Sequence, residues 1–227
     1  MKKMPYLLCL IVMFNAPILQ AQSTGDAGWK VLFDGKTLTG WRKATSNVPP
    51  GTAWSVQNNE LSFDTGKGHG TDIITNQSFQ DFDFTLQFKI SEAGNSGIKF
   101  FLIPNTNLGC EFQIIDDSKH PDALLGVDGN RKTGSLYDII PASKTKNYKP
   151  AGQWNTARVV SKGNHVEYWL NGGKVVEYDR GSESFKKGIA KSKFKTTKGF
   201  AEAKSSPILL QAHGDKVWFR DIKIKEL

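Results

Sequence analysis

Polar and apolar residues alternate along most of this chain, with the period of two that places successive side chains on opposite faces of a β-strand. The clearest example is Phe82–Ile90, where Phe, Leu or Ile occupies every second position and Asp, Thr, Gln or Lys lies between them. This pattern is typical of a strand with one face in a hydrophobic core. Its phenylalanines are therefore interpreted as packing residues.

Short strands of this kind recur between turn-forming residues along the rest of the chain. Asn58-Asn59 separates Thr52–Gln57 from Glu60–Phe63, and this spacing predicts a hairpin. No internal repeat or linker divides the chain, and one helical segment is expected near residues 181–193. The sequence predicts an all-β fold, namely a two-sheet antiparallel β-sandwich of the jelly-roll type with one short helical excursion.

The most informative pair of predicted strands is Gly97–Ile103 and Gly109–Ile115, which are joined by a turn-rich segment. Alternation places their apolar residues on one face, namely Ile98, Phe100 and Leu102 with Cys110, Phe112 and Ile114. The opposite face carries Lys99, Glu111 and Gln113. If the two strands pair as a hairpin, these three polar side chains converge on one patch of the sheet.

Two interpretations of this polar patch follow from the sequence. Alternation alone favours a solvated outer face with a surface ion pair. The residues that follow the second strand, Asp116, Asp117, His120 and Asp122, instead favour a functional site at the strand end. Asn95-Ser96-Gly97 before the first strand is predicted to form a turn, and Asn95 is kept as a site candidate.

The first residues of the chain have the features of a secretory signal peptide. Lys2 and Lys3 precede a short apolar run over residues 6–19, and a small residue, Ala21, marks the expected cleavage site. The run is too short and too interrupted for a stable membrane span. We therefore expect residues 1–21 to be removed, and residues 22–227 to form a single domain in the periplasm or outside the cell.

Charge and cysteine content narrow the class of protein further. The formal net charge is +8, and loss of Lys2 and Lys3 would leave +6. Many lysines lie in Phe185–Lys204, which is interpreted as a solvated helix or loop. Because no aromatic platform accompanies these lysines and export is expected, nucleic acid is not a predicted partner. Cys110 lies on the apolar face of its strand, where a buried, inert thiol is the usual outcome.

Common catalytic motifs such as GxSxG, HExxH and phosphate-binding glycine loops are missing from the sequence. The long irregular segment from 118 to 151 is more typical of a functional loop than of a simple connection, and Arg131 and Tyr137 stand out within it. The remaining carboxylate, His, Lys, Arg and Tyr side chains suit proton transfer and oxyanion stabilisation. They suit plain hydrogen bonding to a sugar equally well.

No cofactor is predicted, although two sets of residues in the sequence could bind a metal ion. Calcium could be held by Asp116, Asp117, Asp122 and Asp128 with backbone carbonyls, but no loop has EF-hand spacing. A transition metal could be bound by His69, His120 and His213 if these distant residues met in the fold.

Several ordered blocks of sequence resemble the 3-keto-disaccharide hydrolase domain family, which has a concanavalin A-like glucanase/lectin fold. The resemblance begins at WKVLFDGKTLTGW (Trp29–Trp41) and continues through DIITNQSFQDFDFTLQFKIS (Asp72–Ser91). The later blocks are GNSGIKFF, EFQIIDDSKHPDA, GSLYDIIPA, GQWNTARVV, HVEYWLNGGKVVEY and LLQAHGDKVWFRDIKIKEL. It covers nearly all of the expected mature chain and implies an oligosaccharide or glycoside substrate.

The resemblance implies cleavage of 3-keto-glycosides by proton abstraction from C2, elimination of the anomeric substituent and hydration. As a hypothesis, Glu111 or His213 is the base, and Lys99 or Arg131 stabilises the enolate. The donor or positioning group is then one of Tyr137, His120 and Asp116. The residues expected to bind substrate are Gln113, Asp116, His120, Gln87 and Asn95. The alternatives are a carbohydrate-binding domain without activity and a conventional two-carboxylate glycosidase.

The chain departs from the family pattern at three positions. Ala212 and Gln87 stand where acids are expected, and Tyr168 stands where His is frequent. If either acid takes part in the reaction, this member would be slow, altered in substrate, or only a binder. Each change can equally be interpreted as a neutral substitution at the protein surface.

Overall fold

Thirteen β-strands, one α-helix and two 3₁₀ turns make up residues 28–227, the part of the chain that this computed structural model describes. The predicted signal peptide lies outside these residues. The strands are β1 (Lys30–Val31), β2 (Trp41–Lys43), β3 (Trp54–Gln57), β4 (Glu60–Phe63), β5 (Ile73–Thr75), β6 (Phe82–Ile90), β7 (Asn95–Phe100), β8 (Cys110–Ile115), β9 (Asn155–Lys162), β10 (His165–Leu170), β11 (Gly173–Asp179), β12 (Leu209–Leu210) and β13 (Val217–Glu226). The helix α1 spans Glu183–Lys191, and the 3₁₀ turns span Thr65–Lys67 and Pro121–Leu124.

The strands form two antiparallel sheets. The larger has the order β11-β10-β9-β6-β13-β4-β3, with β1 also paired to β13, and the smaller has the order β2-β5-β12-β7-β8. Both the predicted two-sheet sandwich and its single short helix are therefore confirmed. Within residues 28–227, no helix has the length and apolar character needed to cross a membrane.

The space between the sheets is filled by the apolar faces that alternation predicted. All five apolar residues of β6 are buried, and Phe88 meets Phe112 of the opposite sheet with ring centroids 6.5 Å apart. Full burial of such a side chain contributes about 1.5–3 kcal/mol. Tyr168 also lies fully buried here, with its ring 5.3 Å from that of Phe112. It is a core residue, so the departure from His at this position does not alter a surface site.

The predicted hairpin is confirmed as β7 and β8, with both ends of the first strand shifted and the second strand beginning one residue later, at Cys110. β7 begins at Asn95, so Asn95-Ser96-Gly97 is strand and not a turn. It ends early because Phe101 has φ = 53°, which interrupts the alternation. As a result Phe101 joins the core between the sheets, while Leu102 packs in a small cluster with Ala44, Ile74 and Leu209. The prediction that Leu102 shares the face of Ile98 and Phe100 was wrong.

The segment predicted to be irregular contributes an additional edge to the smaller sheet. The Gln113 backbone N–H donates to Ser135 O (3.1 Å), and Gln113 O accepts the Gly134 N–H (2.9 Å). The Tyr137 N–H donates to Glu111 O (3.1 Å). Residues 134–137 thus run along β8, and they satisfy backbone groups that would otherwise form an open sheet edge. This pairing places Tyr137 beside Glu111.

The loop is anchored by a largely buried ion pair. Lys146 Nζ donates to Asp117 Oδ2 (2.6 Å) and to Thr133 O (2.6 Å). Asp117 also accepts the Thr133 backbone N–H (2.7 Å). These contacts connect Lys146, near the end of the loop, to Asp117, just after β8, and to Thr133 in the middle of the loop.

Phe185–Lys204 is less exposed than its lysines suggest. Phe185, Phe194 and Phe200 are buried, and the rings of Phe194 and Phe200 stack with centroids 4.3 Å apart. Ser182 caps α1 by accepting the Phe185 N–H at 3.3 Å. The interpretation of this segment as wholly solvated was therefore wrong.

Lys146→Ala should destabilise the protein by about 1–3 kcal/mol, because it leaves the largely buried Asp117 carboxylate without its cation. Lys186→Ala is the matched control, since its partner Glu183 is exposed, and its effect should stay within about 0.5 kcal/mol. Urea unfolding followed by tryptophan fluorescence measures both. Equal losses in the two variants would show that the loop is not held by Lys146.

Candidate functional site

A narrow cleft opens on the outer face of the smaller sheet, over β7 and β8. Its volume is about 60 Å³, room for about two water molecules at ~30 Å³ each. It therefore admits the edge of one ligand ring, and the rest of the ligand must lie outside. The lining residues are Asn95, Lys99, Leu108, Gly109, Glu111, Gln113, Tyr137, Lys193, Phe194, Gln211 and His213.

The floor of the cleft is a buried ion pair. Lys99 and Glu111 are directly opposite each other in the β7–β8 register, and Lys99 Nζ lies 3.6 Å from Glu111 Oε2. Lys99 is 7% exposed and Glu111 6%, so the interpretation of this pair as a solvated surface pair was wrong. Among the described residues, no hydrogen bond within normal limits reaches the Glu111 carboxylate. Burial raises the pKa of Glu111, while Lys99 and Lys193 oppose that increase.

The missing side chain at Gly97 leaves the space that the Glu111 carboxylate occupies. A Cβ at position 97 would lie 2.4 Å from Glu111 Oε1 and 3.0 Å from its Cδ. The glutamate side chain therefore lies across a strand position that has no side chain of its own. Close approach to backbone is one of the conditions that glycine alone satisfies.

A second wall comes from the chain after β12. Gln211 N–H donates to Gly97 O (2.9 Å), which carries the strand pairing one residue further, and Asp72 Oδ1 accepts the Ala212 N–H (2.7 Å). Asp215 Oδ2 accepts the Asn95 N–H (3.0 Å). These contacts bring His213 into the same cleft as Glu111. Ala212, where the family pattern has an acid, packs its own side chain against the hydrophobic core.

Two buried acceptors in the cleft have no donor among the described residues. They are Asn95 Oδ1 and Gln211 Oε1. An unsatisfied buried acceptor costs about 1–3 kcal/mol, so both atoms are poised to accept a hydrogen bond from a ligand. Gln113 differs, because its Oε1 accepts the Ile114 N–H at 3.1 Å. The cleft thus favours a ligand that presents hydroxyl or amine donors.

A network centred on Arg131 supports the wall opposite His213. Arg131 donates to Asp138 Oδ1 (2.6 Å) and to Asp122 Oδ1 (2.7 Å), and Tyr137 Oη donates to Asp122 Oδ2 (2.8 Å). Burial and the Asp122 carboxylate raise the pKa of Tyr137, which keeps this phenol protonated. Arg131 itself does not line the cleft. It positions residues that do.

Lys193 enters the cleft from the segment that follows α1. Its backbone N–H donates to Asp138 Oδ2 (2.7 Å), and its Nζ lies 4.2 Å from the centre of the Tyr137 ring. Withdrawal from water lowers the pKa of Lys193, Glu111 opposes that effect, and Lys99 adds to it. Sequence analysis missed this residue because it lies among exposed lysines. The signal that could have found it is the hydrophobic Phe194 beside it.

The histidines form a group at the cleft mouth. The rings of His120 and His213 meet edge to face with centroids 6.2 Å apart, and Asp215 Oδ2 lies 4.0 Å from His213 Nδ1. Ligand atoms of all three residues lie within 4.8 Å of one another. His69, the third histidine of the considered transition-metal set, does not belong to this group.

The hydrogen bonding of His120 bears on whether this group suits a metal ion. His120 Nδ1 accepts the Asp122 N–H at 3.1 Å, so the neutral ring carries its proton on Nε2. That nitrogen is then a donor and not a metal ligand. The arrangement favours hydrogen bonding or proton transfer at the cleft mouth.

Of the four aspartates that could have held calcium, Asp116, Asp117 and Asp122 are engaged in other contacts, and Asp128 is exposed. None belongs to either of the two potential metal-binding groups found among residues 28–227. Asp116 accepts from Ser118 N (3.0 Å) and Ala93 N (2.9 Å). Asp117 pairs with Lys146, and Asp122 pairs with Arg131. These carboxylates hold the loop in place.

Four of the ten residues predicted for the site do not line the cleft. Gln87 is on the outer face of the other sheet, where its Oε1 accepts from Arg220 Nε (3.0 Å). Asp116 is buried in its turn, and Arg131 acts through Asp122 and Asp138. His120 lies beside the cleft, near His213. The structure brings together the other predicted residues, which are Lys99, Glu111, Gln113, Asn95, Tyr137 and His213.

Comparison with known proteins places the chain in a family. Residues 28–225 match the 3-keto-alpha-glucoside-1,2-lyase-like domain. The chain belongs to this family. The 3-keto-alpha-glucoside-1,2-lyase-like family thus accounts for the ordered blocks of sequence that run from Trp29 to the C-terminus.

Individual relatives of the family extend this result. A 3-keto-disaccharide hydrolase from Bacteroides thetaiotaomicron is 33% identical over 230 residues, with 88% of this chain and 79% of the relative covered. A crystal structure of a candidate glycosyl hydrolase from Parabacteroides distasonis is 30% identical, with a TM-score of 0.77, covering 88% of this chain and 94% of that one. The carbohydrate-binding module CBM66 from Bacillus subtilis shares the fold at 11% identity (TM-score 0.52, covering 84% of this chain and 98% of that one).

Glu111→Gln should change the pH dependence of stability. Because burial raises the pKa of Glu111 above the ordinary 4.5, its contribution to stability is greatest below that pH and is lost as pH rises through the folded-state pKa. A glutamine does not titrate, so the variant lacks this pH-dependent contribution. The free energy of unfolding of the variant, relative to the unsubstituted protein, should therefore increase between about pH 4 and about pH 8.

Urea unfolding at both pH values measures this difference, with Glu183→Gln on the exposed side of α1 as the matched control. A relative stability of Glu111→Gln that stays constant, or falls as pH rises, would contradict the burial-driven shift.

Proposed function

We propose that this protein is an exported enzyme that cleaves 3-keto-glycosides, including 3-keto-disaccharides, by C2 proton abstraction, elimination and hydration. The observation that carries this proposal is a single buried carboxylate, Glu111, with a raised pKa, which pairs with Lys99 in a cleft that Lys193 and two unsatisfied hydrogen-bond acceptors also line. The family and the 3-keto-disaccharide hydrolase relative support the substrate class.

The first step requires a base and a positive charge. The ketone at C3 acidifies the hydrogen on C2, and Glu111 removes it. A buried carboxylate with a raised pKa is a stronger base than an exposed one, which suits proton transfer. Lys99, which lies 3.6 Å from that carboxylate, stabilises the negative charge that develops on the 3-oxygen.

The second step expels the group at C1, and its oxygen requires a proton. His213 lies at the mouth of the cleft, where its Nδ1 is 4.0 Å from Asp215 Oδ2. We assign His213 as the donor to the leaving oxygen and, in reverse, as the base for the water that adds to C1. Tyr137 donates its own proton to Asp122, so its oxygen faces the ligand as an acceptor and positions it.

Asn95 and Gln211 bind the sugar. Their side-chain oxygens are buried and without donors, and hydroxyl groups of the ring supply the missing hydrogen bonds. Gln113, whose Oε1 is already engaged by Ile114 N–H, offers its amide N–H₂ group.

A conventional glycosidase is a weaker interpretation of the cleft. Such enzymes place two carboxyl groups about 5–9.5 Å apart on either side of the glycosidic bond. Of the described residues that line this cleft, Glu111 alone carries a carboxylate. Lys99, which forms an ion pair with this carboxylate, matches an enolate and not an oxocarbenium ion.

The test compares 3-keto-trehalose with trehalose as substrates. The protein should release 3-keto-glucose from the oxidised sugar only, and in D₂O the product should carry deuterium at C2. Glu111→Gln should lower kcat by about 10²–10⁴-fold, whereas the exposed Glu183→Gln should leave it unchanged.

Other outcomes identify the alternatives. Binding of 3-keto-trehalose without release would indicate a carbohydrate-binding domain. Cleavage of trehalose itself, without deuterium at C2, would indicate conventional glycoside hydrolysis. Either result would overturn the proposal.

Gly97→Ala should lower kcat by about 10²-fold or more, because the new methyl group would displace the Glu111 carboxylate from its position. The Gly97 backbone needs no positive φ, so the fold should tolerate alanine. Gly173→Ala is the matched control, since its added Cβ meets one backbone oxygen at an ordinary 3.7 Å. Thermal unfolding checks that both variants fold, and full turnover by Gly97→Ala would refute the placement of Glu111.

A further inference from the structure

The two lysines of the cleft differ in their surroundings. Lys99 Nζ lies 3.6 Å from Glu111 Oε2 and 3.4 Å from the Asn107 carbonyl oxygen, so it has both an ion-pair partner and an acceptor. Lys193 Nζ has no carboxylate within ion-pairing distance among the described residues, and it lies over the rings of Tyr137 (4.2 Å) and Phe194 (5.2 Å). It is an amine over an aromatic surface with no assigned partner.

The environment of Lys193 makes its ammonium group easier to deprotonate than that of an exposed lysine. The withdrawal of its amine from water lowers its pKa and the nearby Lys99 lowers it further, while Glu111, Asp122 and Asp138 oppose this shift. A lysine that is desolvated and close to a second cation is an effective nucleophile toward carbonyl carbon. The cleft is the place where the proposed substrate presents a ketone.

We propose that Lys193 condenses with the 3-ketone of the substrate to form an iminium ion, and that elimination proceeds through the corresponding enamine. This inference rests on the proposed function and specifies its chemistry. The geometry carries it, since Lys193 lines the same cleft as Glu111 and has no ion-pair partner that would hold its proton.

The steps balance without any further reactant. The amine adds to C3, one water leaves, and the C3=N⁺ bond forms. Glu111 takes the C2 proton, and the resulting enamine expels the C1 substituent, whose oxygen takes a proton from His213. Water then adds to C1, Glu111 returns the proton to C2, and a second water hydrolyses the iminium to release 3-keto sugar and the free amine. One water is consumed overall.

A probe that has the ketone but no leaving group tests this step separately from turnover. We would incubate the full protein with 3-keto-1,5-anhydroglucitol and sodium cyanoborohydride, which reduces an iminium to a stable secondary amine. Intact mass should show one adduct, and peptide mapping should place it on Lys193. Lys193→Arg should lose the adduct, because a guanidinium group does not form an iminium with a ketone, and Lys195→Arg, outside the cleft, should keep it.

The outcomes separate this inference from the proposed function. Release of 3-keto-glucose from 3-keto-trehalose with no adduct on Lys193, or with the adduct on Lys99, would overturn the iminium and leave the elimination standing. An adduct on Lys193 without any release would overturn the proposed function instead. Lys193→Arg should also lower kcat by about 10²-fold or more, and unchanged turnover would count against the inference. Lys193→Met, checked by thermal unfolding, repeats the test if the arginine does not fit.

Discussion

The site depends on one buried ion pair. Lys99 and Glu111 face each other across two adjacent strands, and both are almost completely removed from water. Withdrawal of charges from water costs several kcal/mol per ion, and a contact of 3.6 Å returns only part of that cost. The pair persists because the apolar faces of β7 and β8 lock their register, since a slip of one residue would turn every side chain to the opposite face. The sandwich thus keeps this pair buried and in contact, although exposure to water would be favourable for both side chains.

Much of this arrangement could be predicted from alternation. The period of two placed Lys99, Glu111 and Gln113 on one face, and the apolar residues around them required that face to be the outer one. The hairpin then set the two charged residues opposite each other. Tyr137 stood out in the irregular segment and His213 among the histidines, and the family resemblance gave both a role, but no periodicity could have brought them to the same place.

The remaining parts required three-dimensional information. Alternation shows that Gln87 points away from the core, but it does not show on which of the two sheets that outer face lies. Asp116 has the type of side chain that a site needs, yet its oxygens are used by neighbouring backbone N–H groups. Lys193 was hidden in a lysine-rich segment, and only the packing of that segment shows which lysine turns inward. Gln211 follows the buried Leu210, and its opposite orientation could have indicated the cleft.

Arg131 links two walls of the cleft, which limits how the cleft can change by mutation. Its guanidinium holds Asp122, which fixes Tyr137, and Asp138, which fixes the backbone of Lys193. Two walls of the cleft from separate parts of the chain therefore share one anchor, and substitutions in them should be energetically coupled and not additive. Divergence toward a new substrate would have to alter both walls together, which makes Arg131 a constraint on the evolution of specificity.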